Sequence, residues 1–193
     1  MPPKSETKER IVGAAMELFW ELGYEACGIS NIVNRAGVRS GSLYHFFRRK
    51  EDVLVAVLEA YQTALIPHVM EPPFRRESDP LERVFAVLAD YRERLLTTDF
   101  HYRCPIGSLA LEVGEVSEPA RQLIEATFAA WRAAIGGALA QAKLKRGTDP
   151  DSLATFVLTV MEGGVMQAAA SRSAEPFDAS VAHLRSYLTS LQR

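Results

Sequence analysis

Ile29-Ser30-Asn31-Ile32-Val33-Asn34-Arg35-Ala36-Gly37-Val38-Arg39-Ser40-Gly41-Ser42-Leu43-Tyr44-His45-Phe46-Phe47-Arg48-Arg49-Lys50 holds two short apolar stripes, Ile29/Ile32/Val33/Ala36 and Leu43/Phe46/Phe47, each at helical spacing. Gly37 separates them and accepts the left-handed backbone of a tight turn. Helix, glycine turn, helix and then a run of cations is the pattern of a helix-turn-helix, whose second helix enters the major groove of a duplex. The apolar stripes pack the module, and Phe46 and Phe47 read as core. Ser40, Ser42, Tyr44 and His45 project polar groups from the other face, and Gly41 lets a phosphate backbone come close. Between residues 26 and 50 there are five cations, Arg35, Arg39, Arg48, Arg49 and Lys50, and no carboxylate. That is the footprint of a polyanion-binding surface.

Outward from this stretch the pattern stays helical, and no period-2 alternation is sustained, so the fold class is all-α with about nine helices. The first opens after Ser5 or Thr7, carries Ile11, Ala14, Ala15, Leu18, Phe19 and Leu22, and closes at Gly23. The fourth starts after Lys50, with Glu51 and Asp52 at its positive end, and runs to Pro67. Residues 71–80, rich in Pro and charge, read as a loop that Asp79 and Pro80 end by starting the next helix. A short helix around Ile106 to Val113 stops at Gly114. A long one enters at Ser117-Glu118-Pro119-Ala120 and stops at Gly147. Asp149-Pro150 and Glu175-Pro176 open the last two.

Charge divides the chain at the end of the module. Residues 1–50 hold eight Lys/Arg against five Glu, and the rest holds the remaining fourteen against nineteen acids. The expected organisation is a helix-turn-helix module at 1–50 and a helical body at 51–193. No unbroken apolar run approaches the ~20 residues of a membrane span, and the first residues lack a signal-peptide core, so the expectation is a soluble, cytoplasmic protein without a membrane partner. Cys27 and Cys104 form no CxxC pair. His68 and His183 read as surface residues, and His101 with Cys104 is a weak metal hint. No nucleophile-base-acid set and no phosphate-cradling loop is present, so neither an enzyme nor a cofactor is indicated.

Ala36-Gly37-Val38-Arg39-Ser40-Gly41-Ser42-Leu43-Tyr44-His45-Phe46-Phe47-Arg48-Arg49-Lys50-Glu51 resembles the signature of TetR family repressors. Ala14-Ala15-Met16-Glu17-Leu18-Phe19 and Leu22-Gly23-Tyr24 are similar to that family's first helix. The resemblance spans about fifty residues. It implies a transcriptional repressor that binds a palindromic double-stranded DNA operator as a homodimer and is released by a small-molecule effector. It also implies that Tyr44, His45 and Lys50 anchor phosphates and that Arg39, Ser40, Gly41 and Ser42 lie at base edges or the adjacent backbone. An Arg39 fork on a guanine discriminates bases by ~1–3 kcal/mol. The family usually has Ser, Thr or Pro at the position of Arg39, often Lys at Ser40, and hydroxyl residues where this chain has Cys27-Gly28.

Arg103-Cys104-Pro105-Ile106-Gly107-Ser108-Leu109-Ala110-Leu111-Glu112 resembles a segment of a TetR subgroup that includes repressors responsive to electrophiles, acrylate and flavonoids, which makes Cys104 a candidate sensor. A neighbouring Arg103 or a helix start would favour its thiolate. The subgroup's Lys partner is absent from Gln167-Ala168-Ala169-Ala170-Ser171-Arg172-Ser173, and a buried structural thiol is the competing reading. Candidates for an apolar effector pocket are Tyr91, Phe100, Tyr102, Phe128, Trp131, Met161 and Met166. The last long helices, with Ala134, Gly136, Gly137, Ala138, Gly163, Gly164 and Ala168, form the expected dimer seam. Effector binding is expected to move the fourth helix and so the spacing of the two readers. The alternatives are a ligand-independent architectural DNA-binding protein on the same fold and a helical enzyme, which the missing catalytic set opposes.

Overall fold

The computed structural model describes residues 4–113 and 117–193, the Lys4 side chain excepted. Its helices are α1 (Lys4–Leu22), α2 (Ile29–Ala36), α3 (Ser40–Phe46), α4 (Lys50–Leu65), a π turn (Ile66–Met70), α5 (Glu71–Arg76), α6 (Pro80–Thr97), α7 (Pro105–Val113), α8 (Glu118–Gln141), α9 (Pro150–Ser171) and α10 (Glu175–Ser190). The fold is all-α. Each helix that the apolar spacing predicts is present, and α5 is added to them.

α5 corrects the expected loop at 71–80. Pro72 and Pro73 stand in its first turn, and α5 follows the π turn without a break, so the helical stretch that begins at Lys50 continues to Arg76. Asp79 caps α6, accepting from the N–H groups of Leu81 at 2.8 Å and Glu82 at 3.0 Å. Asp149 caps α9 through Asp151 N–H at 3.1 Å. The Gly114 stop lies outside the described residues. α8 ends at Gln141, ahead of the expected Gly147. Residues 143–145 instead run antiparallel to the last residues: Lys145 N–H donates to Leu191 O at 2.7 Å and Arg193 N–H to Lys143 O at 2.9 Å.

Packing resolves the chain into two compact units, Met1–Thr63 with Pro105–Thr127 and Ala64–Cys104 with Phe128–Arg193. The core of the first is built on Ile11, Ala15, Leu18, Ile32, Leu43, Phe47 and Val53. Leu22, assigned to this stripe by spacing, is 47% exposed because it stands in the last turn of α1. The second unit buries Leu88, Leu95, Trp131, Leu139, Met161, Phe177 and Leu184. There Gly164 lets α9 and α10 touch, since a Cβ would lie 2.8 Å from the Phe177 ring; at Gly136 a Cβ would lie 2.8 Å from Asp151 Oδ1. Gly136, Gly164, Ala138 and Ala168 are therefore used inside the chain, whereas Gly137 and Gly163 face open space. Arg92 grips Asp178 at 2.7 and 2.8 Å, and Arg185 pairs with Glu82 while lying 3.7 Å from the Phe85 ring, so two ion pairs tie α10 to α6.

By length and composition three helical stretches, Lys50–Arg76 taken through the π turn, Glu118–Gln141 and Pro150–Ser171, are apolar enough to cross a membrane. Polar residues interrupt each, so none is an unbroken apolar run. Leu153, Val157, Met161 and Val165 of α9 are buried within the protein.

Candidate functional site

In the first unit, α2 closes on Gly37, whose φ of 62° and ψ of 38° put its N–H against the carbonyls of Asn34 and Val33. α3 follows within three residues. Its Leu43 and the adjoining Phe47 are buried, and Phe46 is only half-buried. The spacing of Arg39, Ser40, Gly41, Tyr44, His45 and Arg48 sets them on the other face, where all are exposed, Tyr44 by 54%. Ser42 is half-buried. Gly41 has open space where a Cβ would be, so close approach rather than internal packing suits it.

The expected block of five unneutralised cations is not what folding presents. Arg35 pairs with Glu17 at 3.0 Å and Glu21 at 2.8 Å, and these hydrogen bonds hold its guanidinium firmly protonated. Arg49 lies 3.1 Å from Glu51. Lys50 places Nζ over the Tyr24 ring, 4.1 Å from its centroid, and 3.4 Å from Glu25 O. Sequence distance concealed the partners of Arg35, since Glu17 and Glu21 belong to α1, whereas Glu51 stands just past the block. Among the described residues Arg39 and Arg48 carry no ion pair, and they flank the exposed face of α3.

Two residues that sequence reasoning passed over hold the module in shape. Arg10 of α1 donates to Ala36 O at 2.5 Å and Gly37 O at 3.1 Å, clamping the turn between the two helices. Glu112 of α7 accepts from the backbone N–H groups of Tyr24 at 2.7 Å and Glu25 at 3.1 Å. Gly23, with φ of 84°, makes this possible: a Cβ there would lie 2.8 Å from Glu112 Oε1. A polar residue on an otherwise apolar helix, Glu112 in Leu109-Ala110-Leu111-Glu112-Val113, was the available signal. Asp52 similarly accepts from Arg48 and Arg49 N–H at 2.9 Å each. Cys27 is fully buried, and burial pushes its thiol above the usual value.

The second unit brings together part of the expected pocket. Tyr91 stacks on Trp131 with centroids 5.5 Å apart and meets Tyr102 edge-on at 5.9 Å. Cys104, 4% exposed, lies beside them, and its thiol hydrogen-bonds the Glu162 carboxylate. Burial, then the neighbouring Cys104, Tyr102 and Glu162, push the Tyr91 hydroxyl well above its ordinary value. Glu162 was not foreseen. Its carboxyl is raised by burial, with the Cys104 bond acting the other way, and its Oε1 is buried without a hydrogen-bond partner. Such a group costs about 1–3 kcal/mol or more. Val84, Leu88, Trp131, Ile135, Val157 and Met161 line a cavity of about 10 Å³, barely the room for one water.

Other candidates do not join this cluster. Met166 is corrected, being 63% exposed on α9: five residues after Met161, it has turned to the outer face. Phe100 is half-buried with a φ of 59°, and Phe128 is half-buried on α8. His68 and His183 are exposed. His101 faces Arg172, with Nη1 3.0 Å from Nε2, and among the described residues no group of three or more His, Cys, Asp or Glu lies together as a metal site would need.

Comparison with known proteins agrees with this architecture. Residues 11–57 match the family described as bacterial regulatory proteins, tetR family. Residues 80–183 match the C-terminal domain of LmrA/YxaF-like transcriptional regulators. The HTH-type transcriptional regulator YxaF of Bacillus subtilis is 27% identical over 91% of this chain and 92% of its own. The transcriptional regulator AcuR of Cereibacter sphaeroides is 28% identical, covering 86% of this chain and 78% of AcuR. The crystal structure of the reduced form of Escherichia coli NemR superposes with a TM-score of 0.80 at 28% identity, covering 93% of this chain and 96% of that one. The chain therefore belongs to the TetR family of helix-turn-helix, DNA-binding transcriptional regulators, non-enzymatic proteins, with a C-terminal domain of the LmrA/YxaF-like kind.

Proposed function

We propose that the chain is a repressor that binds a palindromic operator as a homodimer and lets go when an effector occupies its body, in the cytoplasm where such operators lie. Residues 1–50 are the reader and 51–193 the sensing and dimerising part. The observation that carries the reading is the exposed face of α3, where Arg39, Ser40, Gly41, Tyr44 and His45 lie together while nearby carboxylates are engaged elsewhere. Tyr44, His45 and Lys50 take phosphates. Arg39, with Ser40, Gly41 and Ser42, meets the bases or adjacent backbone.

The partner copy is seated on the outer face of α9 and α10. Phe156 and Tyr187, 43% and 47% exposed, meet edge-on at 5.9 Å, and Met166 and the open Gly163 continue the strip along α9. Release travels along the chain from Cys104 to Pro105, the first residue of α7, and from Glu112 of α7 to the N–H groups of Tyr24 and Glu25. This adds a second lever to the expected movement of α4.

The test is operator binding by single substitutions. Tyr44→Ala and Lys50→Ala weaken attachment to every duplex, whereas Arg39→Ala also flattens the preference between operator and unrelated DNA. Equal losses on all sequences for the three variants contradict the division of roles. Tyr187→Glu yields a monomer by sedimentation; a Tyr187→Glu dimer moves the seam elsewhere.

A further inference from the structure

Among the described residues one buried side-chain oxygen has no hydrogen-bond partner, Oε1 of Glu162. Native interiors rarely leave such an atom unmatched, and a residue that folding alone does not reward is a mark of a binding site. Around it stand Cys104, which takes the carboxylate by its thiol, and the hydroxyls of Tyr91 and Tyr102, whose ionisation its charge opposes. These neighbours are acids, and the cation nearby, Arg94, lies about 6 Å from the two tyrosine rings on an exposed stretch of α6. Beyond them the surroundings are aromatic and aliphatic. Tyr91 stacks on Trp131, and Trp131 and Met161, the residue preceding Glu162, line the cavity between α6, α8 and α9.

A lone carboxylate beside Tyr91 and Tyr102, one residue along α9 from a side chain that lines an apolar cavity, is the complement of one class of small molecule. An anion would meet Glu162 with like charge, and a purely apolar compound would leave Oε1 unmatched. A protonated amine on an apolar body supplies the missing donor and the counter-charge, and aromatic faces attract the same cation.

We propose that Glu162 anchors a binding site for a small apolar amine, whose ammonium donates to Oε1 and whose body enters the cavity that Trp131 and Met161 line. The site deepens the reading of residues 51–193 as an effector body and rests on it. Because the cavity holds about 10 Å³, uptake parts α6, α8 and α9, and the ligand selects a conformation opened in this way.

The experiment is calorimetric titration of the full chain, without DNA, with phenethylamine, phenethyl alcohol and phenylacetate, three probes of like body and different charge. Phenethylamine binds at least about tenfold tighter than the alcohol, and phenylacetate does not bind. Glu162→Gln weakens the amine by about tenfold and leaves the alcohol unchanged. Glu162→Met behaves in the same way and melts no lower than the parent, a readout that keeps the test sound should the Gln variant misfold. Equal affinity for amine and alcohol, no heat with the amine, or undiminished amine binding in both variants overturns the site. Operator release is measured separately. Amine binding without release supports the site and removes the effector reading, whereas release by other compounds with no amine binding removes the site alone.

Discussion

The corner at Gly37 and the corner at Asp99 and Phe100 both require left-handed backbone, and they are made in opposite ways. At Gly37 a glycine adopts φ of 62° without steric cost and Arg10 clamps the carbonyls beside it. At the other corner Asp99 has φ of 49° and Phe100 φ of 59°, and Arg172, itself at 53°, donates to Asp99 O at 3.3 Å. Side chains in that region cost roughly 1–2 kcal/mol each. The reader is thus built relaxed, as a part that must present one fixed face. The stretch leading to Tyr102 and Cys104 is held in place by its neighbours, the condition under which a segment can be displaced by modest binding energy.

Gly37→Val breaks the relaxed corner most severely. A β-branched side chain at φ of 62° with Arg10 Nη2 3.0 Å from the new Cβ is expected to cost up to about 3 kcal/mol. Operator binding should fall more than about tenfold with it, as a gel-shift titration and a thermal melt will show. Unchanged affinity would mean that the turn is not part of the reader's geometry. Glu112→Ala is next, at about 1–2 kcal/mol for two partly exposed charge-assisted bonds. It lowers Tm and weakens operator binding although residue 112 lies outside residues 1–50.

Glu162 supplies a pH dependence. Its carboxyl holds a proton more firmly in the folded chain than in the unfolded one, chiefly through burial. The folded state therefore binds more protons between the ordinary carboxylate pKa and the raised one, and its stability falls as pH rises through that window. Melts from about pH 4 to about pH 8 should show this decline, and Glu162→Gln should flatten it; a parent and variant with parallel curves would deny the shift. Asp99→Gly is the smallest effect, a gain of no more than about 1 kcal/mol from relieved backbone strain. A loss of stability there would show that the Asp99 side chain contributes more than its backbone conformation costs.

The reader was legible because its signals are local. Gly37, the two stripes and the polar face of α3 lie within twenty-two consecutive residues, Ile29 to Lys50. What was missed arises from distance. Arg10 reads as a surface cation until α1 sets it against a turn 27 residues away, and the partners of Arg35 come from α1 in the same manner. Prolines misled at 71–76 because a proline ordinarily ends a helix, whereas here the helical stretch continues through the π turn into α5. The aromatic cluster of the second unit was legible in part. Tyr91, Tyr102, Trp131 and Cys104 do converge, while Glu162 passed unremarked as one polar residue in a long helix and Met166, one apolar residue of the same helix, lies on its outer face.

The close fit of Gly23 to Glu112 has a consequence for how such a sequence can change over generations. With 2.8 Å between the carboxylate and any methyl placed at 23, where φ is 84°, a larger residue there pushes the flexible end of Glu112 aside, and a shorter one at 112 removes the acceptor of two amides. A change at either position is felt at the other. The pair is a single heritable character, and a lineage that alters one is expected to have altered the other at nearly the same time, which a double-mutant cycle would register as strong non-additivity.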